Sequence, residues 1–298
     1  MKRKESNGYL LSKEHGMKPK ESNGHLLCRL IAVIGCLALV QLTDAVAEPT
    51  EDASAAGLAK QLSNPVANLV SWPTKLDWDT DIGPEDADRS TYVTQPVIPI
   101  GLNDDWNIIS RTIITFYVDA ESPVEGGNDD TGMGDTLQSF FFSPKKLTAS
   151  GLVWGAGPVF GLPTGDDGLT SDKTSAGVTG LVLKQQNGWT VGFLGNHLWD
   201  ISGDDDAEDV NSTFLQPFVA YSTKTQTTFT VNSESTYNHE ADSGDEWTVP
   251  INLTVAQLVK LGDQMTQFLV GFRHYVETPS GGPDYGIRFQ MTLLFPKL

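Results

Sequence analysis

Cysteine is nearly absent: the chain of 298 residues has two, Cys28 and Cys36. Positive charge is scarce as well, with 20 Lys and Arg against 38 Asp and Glu and a formal net charge of −18. That balance argues against a broad nucleic-acid surface, which needs basic side chains to neutralise phosphates. Long apolar runs are missing beyond residue 40. The one run, LIAVIGCLALV at 30–40, is too short for a bilayer-spanning helix, which needs roughly 20 residues. That argues against a helical membrane protein. Disorder is excluded too, because 27 Trp, Tyr and Phe are far more than such chains carry.

What the first part of the chain does have is an export pattern. Arg29, Lys18 and Lys20 precede the apolar run, and Ala45-Val46-Ala47 follows it. A basic start, a short apolar stretch and an A-x-A site are the parts of a secretory signal peptide, which places cleavage after Ala47 and assigns 1–47 to the leader. KESNG occurs at 4–8 and again at 20–24, so Met17 is an alternative start. Both cysteines fall in the leader, leaving an exported chain without a disulfide. The first 47 residues hold 7 basic and 4 acidic residues, so the remainder holds 13 and 34, a net of −21. Such a chain fits the periplasm or outer membrane of a Gram-negative bacterium.

Residues 48–73 form a separate segment with an Ala-rich start, EPTEDASAAGLAKQLS at 48–63. A short helix is expected there, either packed as a plug or lying at the periplasmic side. From residue 74 onward the pattern changes to alternation of apolar and polar residues, the period of half-buried strands. The last segment is the clearest: Tyr285, Ile287, Phe289, Met291, Leu293 and Phe295 alternate with Gly286, Arg288, Gln290 and Thr292. Twelve strands are predicted, near 74–82, 90–101, 106–118, 136–143, 151–161, 176–186, 189–200, 212–223, 226–237, 247–256, 264–276 and 285–296. Register is weakest at 212–223, where Phe214, Leu215, Phe218 and Val219 occupy both faces.

The connections sort by length. Those near 102–105, 144–150, 187–188, 224–225 and 257–263 are short; those near 83–89, 119–135, 162–175, 201–211, 238–246 and 277–284 are mostly longer and rich in Asp, Gly and Pro. An even strand count, tight turns at one end and long loops at the other describe a transmembrane β-barrel of the outer membrane. Closure removes the sheet edges that lipid does not tolerate. Trp106, Trp154, Trp189, Trp199, Trp247, Tyr92 and Tyr285 are candidates for the aromatic girdles of such a barrel. The expected fold is all-β: a 12-stranded antiparallel outer-membrane barrel over 74–298, with a short N-terminal helix.

Several stretches together resemble one family: NPVANLVSWP (64–73), QPVIPIGLNDDWNIISRTI (95–113), WGAGPVFGLPTG (154–165), WTVGFLGNHLW (189–199), TFLQPF (213–218), WTVPI (247–251) and GPDYGIRFQMTLLFPK (282–297). The chain is similar to bacterial outer-membrane barrels grouped with the meta-pathway phenol-degradation proteins, often labelled transporters. The resemblance implies a barrel that passes small molecules, including aromatic or apolar ones. It brings no functional residues with it.

Charges on strands carry the remaining signal. Arg111, Lys184, Glu234, Arg273 and Arg288 fall on the polar face. An Arg or Lys facing lipid at mid-bilayer costs about 2–4 kcal/mol, so all five are expected to line the lumen, as ion pairs or as a pathway. The loop acids, Asp204-Asp205-Asp206 with Glu208 and Asp209, and Glu121, Glu125, Asp129 and Asp130, lack the spacing of an EF-hand. They read as a solvated surface bridged to lipopolysaccharide by divalent ions, so no specific metal and no cofactor are expected. Lys145, Lys146, Lys224 and Lys260 lie in the short turns. A negative mouth over a positive base predicts a weak cation preference. No G-x-S-x-G or H-E-x-x-H is present, so the chain is not expected to be an enzyme. A lipid-acting hydrolase, needing a Ser–His pair at the boundary, stays as an alternative, as does a structural or surface-binding barrel. The partners expected are membrane lipid, lipopolysaccharide and a small solute, with no nucleic acid.

Overall fold

The structure is a computed structural model and describes residues 55–122 and 130–295. The leader, the cleavage after Ala47 and the start at Met17 lie outside the described residues, as do Glu125 and Asp129. Among the described residues one helix, α1 (Ala55–Leu62), precedes fourteen strands. They are β1 (Val70–Ile82), β2 (Ala87–Thr94), β3 (Val97–Gly101), β4 (Trp106–Ala120), β5 (Asp130–Pro144), β6 (Leu152–Leu162) and β7 (Lys173–Gln186). Then follow β8 (Trp189–Gly203), β9 (Asn211–Ser222), β10 (Thr227–Ser233), β11 (Ser235–Asn238), β12 (Trp247–Leu261), β13 (Gln264–Glu277) and β14 (Tyr285–Phe295).

These fourteen segments make a closed barrel of twelve antiparallel staves. β2 and β3 both lie between β1 and β4, and β10 and β11 both lie between β9 and β12. Each pair is one stave interrupted once. Closure comes from β1 against β14, with Val70 opposite Phe295 and Thr80 opposite Tyr285. Each of the twelve predicted windows falls on one stave. Proline causes both interruptions, because it has no N–H for the ladder. Pro96 separates β2 from β3. Glu234 separates β10 from β11, and both its neighbours carry a proline there. Pro217 lies between Phe218, which pairs with Asn232, and Leu215, which pairs with Ser235. Pro250 lies between Ile251, which pairs with Ser233, and Thr248, which pairs with Thr236.

The ends differ as the connection lengths imply. At the turn end β7 passes to β8 through Asn187-Gly188, both with positive φ (53° and 81°), the backbone of a two-residue hairpin. β12 continues to Leu261 and turns on Gly262-Asp263, so the connection expected at 257–263 is much shorter. At the loop end β5 begins at Asp130, inside the stretch expected as loop. There both faces of the sheet meet water, so alternation fades before the strand does.

The barrel is inside out relative to a water-soluble one. On β14, Tyr285, Ile287, Met291 and Phe295 are exposed, while Gly286, Arg288, Thr292 and Leu294 are buried. On β13, Val270, Phe272 and Val276 are exposed and Gly271, Arg273 and Tyr275 buried. β12 and β8 repeat this with Leu253 and Val255, and with Val191 and Phe193, outside. An apolar band of this extent suits hydrocarbon and not water. Aromatic pairs border it. Trp106–Trp154 (5.8 Å between ring centres) and Trp189–Tyr221 (4.9 Å) sit at the turn end. Tyr237–Trp247 (4.8 Å) and His274–Tyr285 (5.2 Å) sit at the loop end. Tyr92, expected at a strand end, is instead mid-stave against Phe116, because β3 continues the strand past it.

Candidate functional site

The lumen is built in three levels. At the turn end it is filled by the chain's own N-terminal segment. AAGLAKQL is helix-prone through its alanines, and one face presents Leu58, Ala59 and Leu62. Leu58 and Ala59 are buried with Leu258 of β12 and Leu294 of β14, and Met265 of β13 packs beside them. The chain then turns at Asn64, whose side-chain oxygen accepts from the Val66 N–H (3.1 Å). Ala67 and Leu69 join the first cluster, while Val66 enters a second on the facing wall, with Ile109, Phe141, Leu181, Leu183 and Leu194. The amide of Gln185 donates to the Lys60 carbonyl (2.8 Å), which satisfies one of the acceptors that a helix C-terminus leaves open. Residues 55–69 thus bridge the lumen from β12–β14 to β4–β8. This also explains β9: Phe214 and Phe218 point inward because they pack on the Val66 cluster, while Val219 and Tyr221 face out.

Above that level lies a belt of ion pairs. Asp77 of β1 stands opposite Arg288 of β14. Arg288 donates through Nε to Asp77 Oδ1 (2.6 Å) and through Nη2 to Asp77 Oδ2 (2.8 Å). Its Nη1 and Nη2 also reach the two oxygens of Glu234 (3.0 and 2.8 Å). Such forked pairs are strong and directional. Glu234 reaches the belt from the proline-flanked gap between β10 and β11. Arg273 of β13 bridges Asp77 (2.9 Å) and Asp79 (3.3 Å). It spans past β14 because the residue between them in register is Gly286; a Cβ there would collide with Asp79 Oδ1. Tyr275 donates its hydroxyl to Asp79 (2.9 Å), and Arg89 approaches Asp79 from the other side (3.8 Å).

Between plug and belt is a cavity of about 240 Å³. Lys75 and Arg111 line it beside Glu234 and Arg288, with the amides of Gln95, Gln216, Asn232, Gln267 and Gln290. The plug segment contributes Leu62 and Leu69 to the cavity lining together with Gln61 and Asn64, and Leu194 and Leu269 add apolar wall. Gln95 sits in the β2–β3 break. With its amide oxygen turned toward Arg111 it accepts from Nε (2.9 Å) and Nη2 (3.1 Å). A second opening of about 510 Å³ flanks α1 at the turn end, near Lys145, Lys146 and Asn107.

The structure brings four of the five expected lumen residues to this region: Arg111, Glu234, Arg273 and Arg288. Lys184 is different. It is exposed and shares its side of β7 with Val178 and Val182, while Thr179, Leu181 and Leu183 point inward. Its position next to the Asn187-Gly188 turn explains this, since a lysine near a strand end carries its ammonium past the apolar band. The sequence reading missed Lys75, Asp77 and Asp79. Their signal was present, because these three alternate with Leu76, Trp78 and Thr80 in β1. It also assumed a polar lumen throughout, whereas the turn-end half is an apolar core around the plug.

Outside the lumen, His197 Nδ1 and His239 Nε2 both meet the hydroxyl of Thr213 (2.7 and 2.9 Å) on the outer wall at the loop end. Among the loops, Asp204, Asp205 and Asp206 are exposed, and Asp209 pairs with Lys173 (3.2 Å). Asp245 accepts from the backbone N–H (2.7 Å) and hydroxyl (2.9 Å) of Ser280, tying two loops together. Those bonds hold its carboxyl below the usual carboxylate range.

No family model matches the chain, and no curated protein does. Among solved structures, it is similar to an outer-membrane channel of Pseudomonas putida F1. The two share 15% identity at a TM-score of 0.61, over 86% of this chain and 100% of that one. The fold is that of an outer-membrane barrel. A weaker likeness, at 9% identity and a TM-score of 0.45, is to the β domain of the Bordetella autotransporter BrkA, over 76% of this chain and 100% of that one.

Proposed function

We propose that the protein resides in the outer membrane of a Gram-negative bacterium and passes small molecules through a lumen gated by its own N-terminal segment. The observation that carries this is the apolar outer band around a lumen that holds a charged belt and a cavity. The likeness of fold to an outer-membrane channel supports it. The turn end, with Lys145 and Lys146, faces the periplasm, and the acidic loops face the cell surface and its lipopolysaccharide. Solute enters at the loop end, crosses the belt and reaches the cavity. Release requires residues 55–69 to leave the wall. The resemblance to the meta-pathway group extends the reading to compounds with an aromatic or apolar body, which suits the four leucines in the lining of the cavity.

Single-channel recording in planar bilayers tests this. The intact barrel should conduct in brief, infrequent steps, and a barrel whose plug is loosened should conduct steadily. Silence from both, with the barrel folded, would sink the channel reading. The segment packed across the turn end favours one second reading, a structural or surface-binding barrel; it predicts silence together with adhesion that depends on the acidic loops.

A further inference from the structure

Charge bookkeeping in the lumen leaves a remainder. Arg89, Arg273 and Arg288 face Asp77, Asp79 and Glu234 within 4 Å, three cations against three anions. Lys75 and Arg111 also line the cavity, and among the described residues neither has a carboxylate within that distance. Arg111 donates to the neutral amide oxygen of Gln95. Both cations lie on staves that flank the interrupted β2–β3 stave, close to its break: Lys75 is opposite Val93, and Arg111 is opposite Val97. Glu234 lines the same cavity, but Arg288 takes both of its oxygens. Cations taken out of bulk water without a close counter-charge of their own cost free energy that a bound anion would recover.

We propose that the cavity is a binding site for a small organic acid, its carboxylate held between Lys75 and Arg111 and its apolar body resting on Leu62, Leu69, Leu194 and Leu269. This deepens the channel reading and rests on it. A guanidinium offers a carboxylate two parallel N–H donors, and an ammonium adds a point charge. Size agrees: a cavity of about 150 Å³ accepts benzene, so one of about 240 Å³ accepts a benzene ring carrying a carboxylate. The acidic loops above do not attract anions over distance. The two cations therefore act at short range, as a site within the pathway and not as a steering field. The same feature qualifies the weak cation preference expected from the loops, because the interior carries the opposite excess.

Calorimetric titration of the refolded protein in detergent with benzoate and with benzamide tests the site. The two are close in shape and differ in charge. Benzoate should bind at least tenfold more tightly. Lys75→Gln and Arg111→Gln should each weaken benzoate at least tenfold, while Lys184→Gln on the outer wall leaves it unchanged. Equal affinity for benzamide, no benzoate binding at millimolar concentration, or wild-type affinity in both cavity variants would overturn the proposal. If a variant fails to fold, the benzoate–benzamide comparison on the unaltered protein decides. Conductance is read separately. A barrel that conducts but treats the two ligands alike refutes the site and keeps the channel. A silent barrel that prefers benzoate keeps the site and removes free passage.

Discussion

Leu58→Ala should open the lumen. Leu58 is 3% exposed and packs with Ala59, Leu258 and Leu294 across the plug–wall contact. Truncating a buried leucine to alanine costs about 2–5 kcal/mol, part lost transfer and part cavity. The staves do not depend on this contact for their ladders, so most of the loss falls on docking of residues 55–69. A middle value of about 3 kcal/mol moves the docked-to-undocked ratio roughly a hundredfold. In planar bilayers the open probability should rise by a like factor until it saturates. Protease added from the turn side should cut the N-terminal segment faster. Leu58→Met, which keeps the volume, should cost under about 1.5 kcal/mol and act weakly. Adding Val66→Ala should compound the effect, because Val66 packs in the other cluster on the opposite wall and separated sites add. A folded Leu58→Ala barrel with unchanged open probability and unchanged cleavage would refute the plug argument.

Three further outcomes are expected. Arg288→Gln leaves Asp77 and Glu234 buried without their shared partner and should cost about 3–5 kcal/mol in urea unfolding; Arg288→Gln combined with Asp77→Asn and Glu234→Gln should recover much of it. Gly286→Ala drives a methyl group into Asp79 Oδ1, so it should shift Asp79 and Arg273 and lower stability by about 1–3 kcal/mol, read by the heat needed to unfold the barrel in detergent. The Asp245–Ser280 tie should be pH-sensitive: the carboxyl is held low in the folded chain, so the tie's contribution is present above the unfolded value of about 3.9 and is lost as pH falls through the lowered one. Protease nicking of loop 239–246 should therefore rise in strong acid, and Asp245→Asn should nick readily at every pH.

The twelve staves were legible because each strand has lipid on one side, and lipid imposes a strict period of two. Tyr285 to Phe295 shows this directly. Arg111, Glu234, Arg273 and Arg288 were legible for the same reason, since a charge among alternating apolar residues has only the lumen to face. Lys184 broke the rule because its reach at the strand end lets the ammonium leave the apolar band. Lys75, Asp77 and Asp79 carried the same alternation and were passed over. Phe214 and Phe218 looked ambiguous because the rule assumes a wet interior, and at the turn end the interior is packed with chain.

The amino-acid order by itself determined the class of fold and the sorting of turns from loops, both of which are local patterns; the breaks at Pro96 and Glu234 fell inside single predicted strands, and the second is set by Pro217 and Pro250 on the neighbouring staves. Only the tertiary structure decided what the lumen contains. That Leu58 shares a cluster with Leu258 and Leu294, that Arg288 joins Asp77 to Glu234, and that Lys75 and Arg111 line a cavity whose carboxylate, Glu234, is held by Arg288 are facts of closure. Closing the sheet brings together residues up to 236 positions apart in sequence, Leu58 and Leu294 among them, and no period along the chain encodes which inward faces will meet across the barrel.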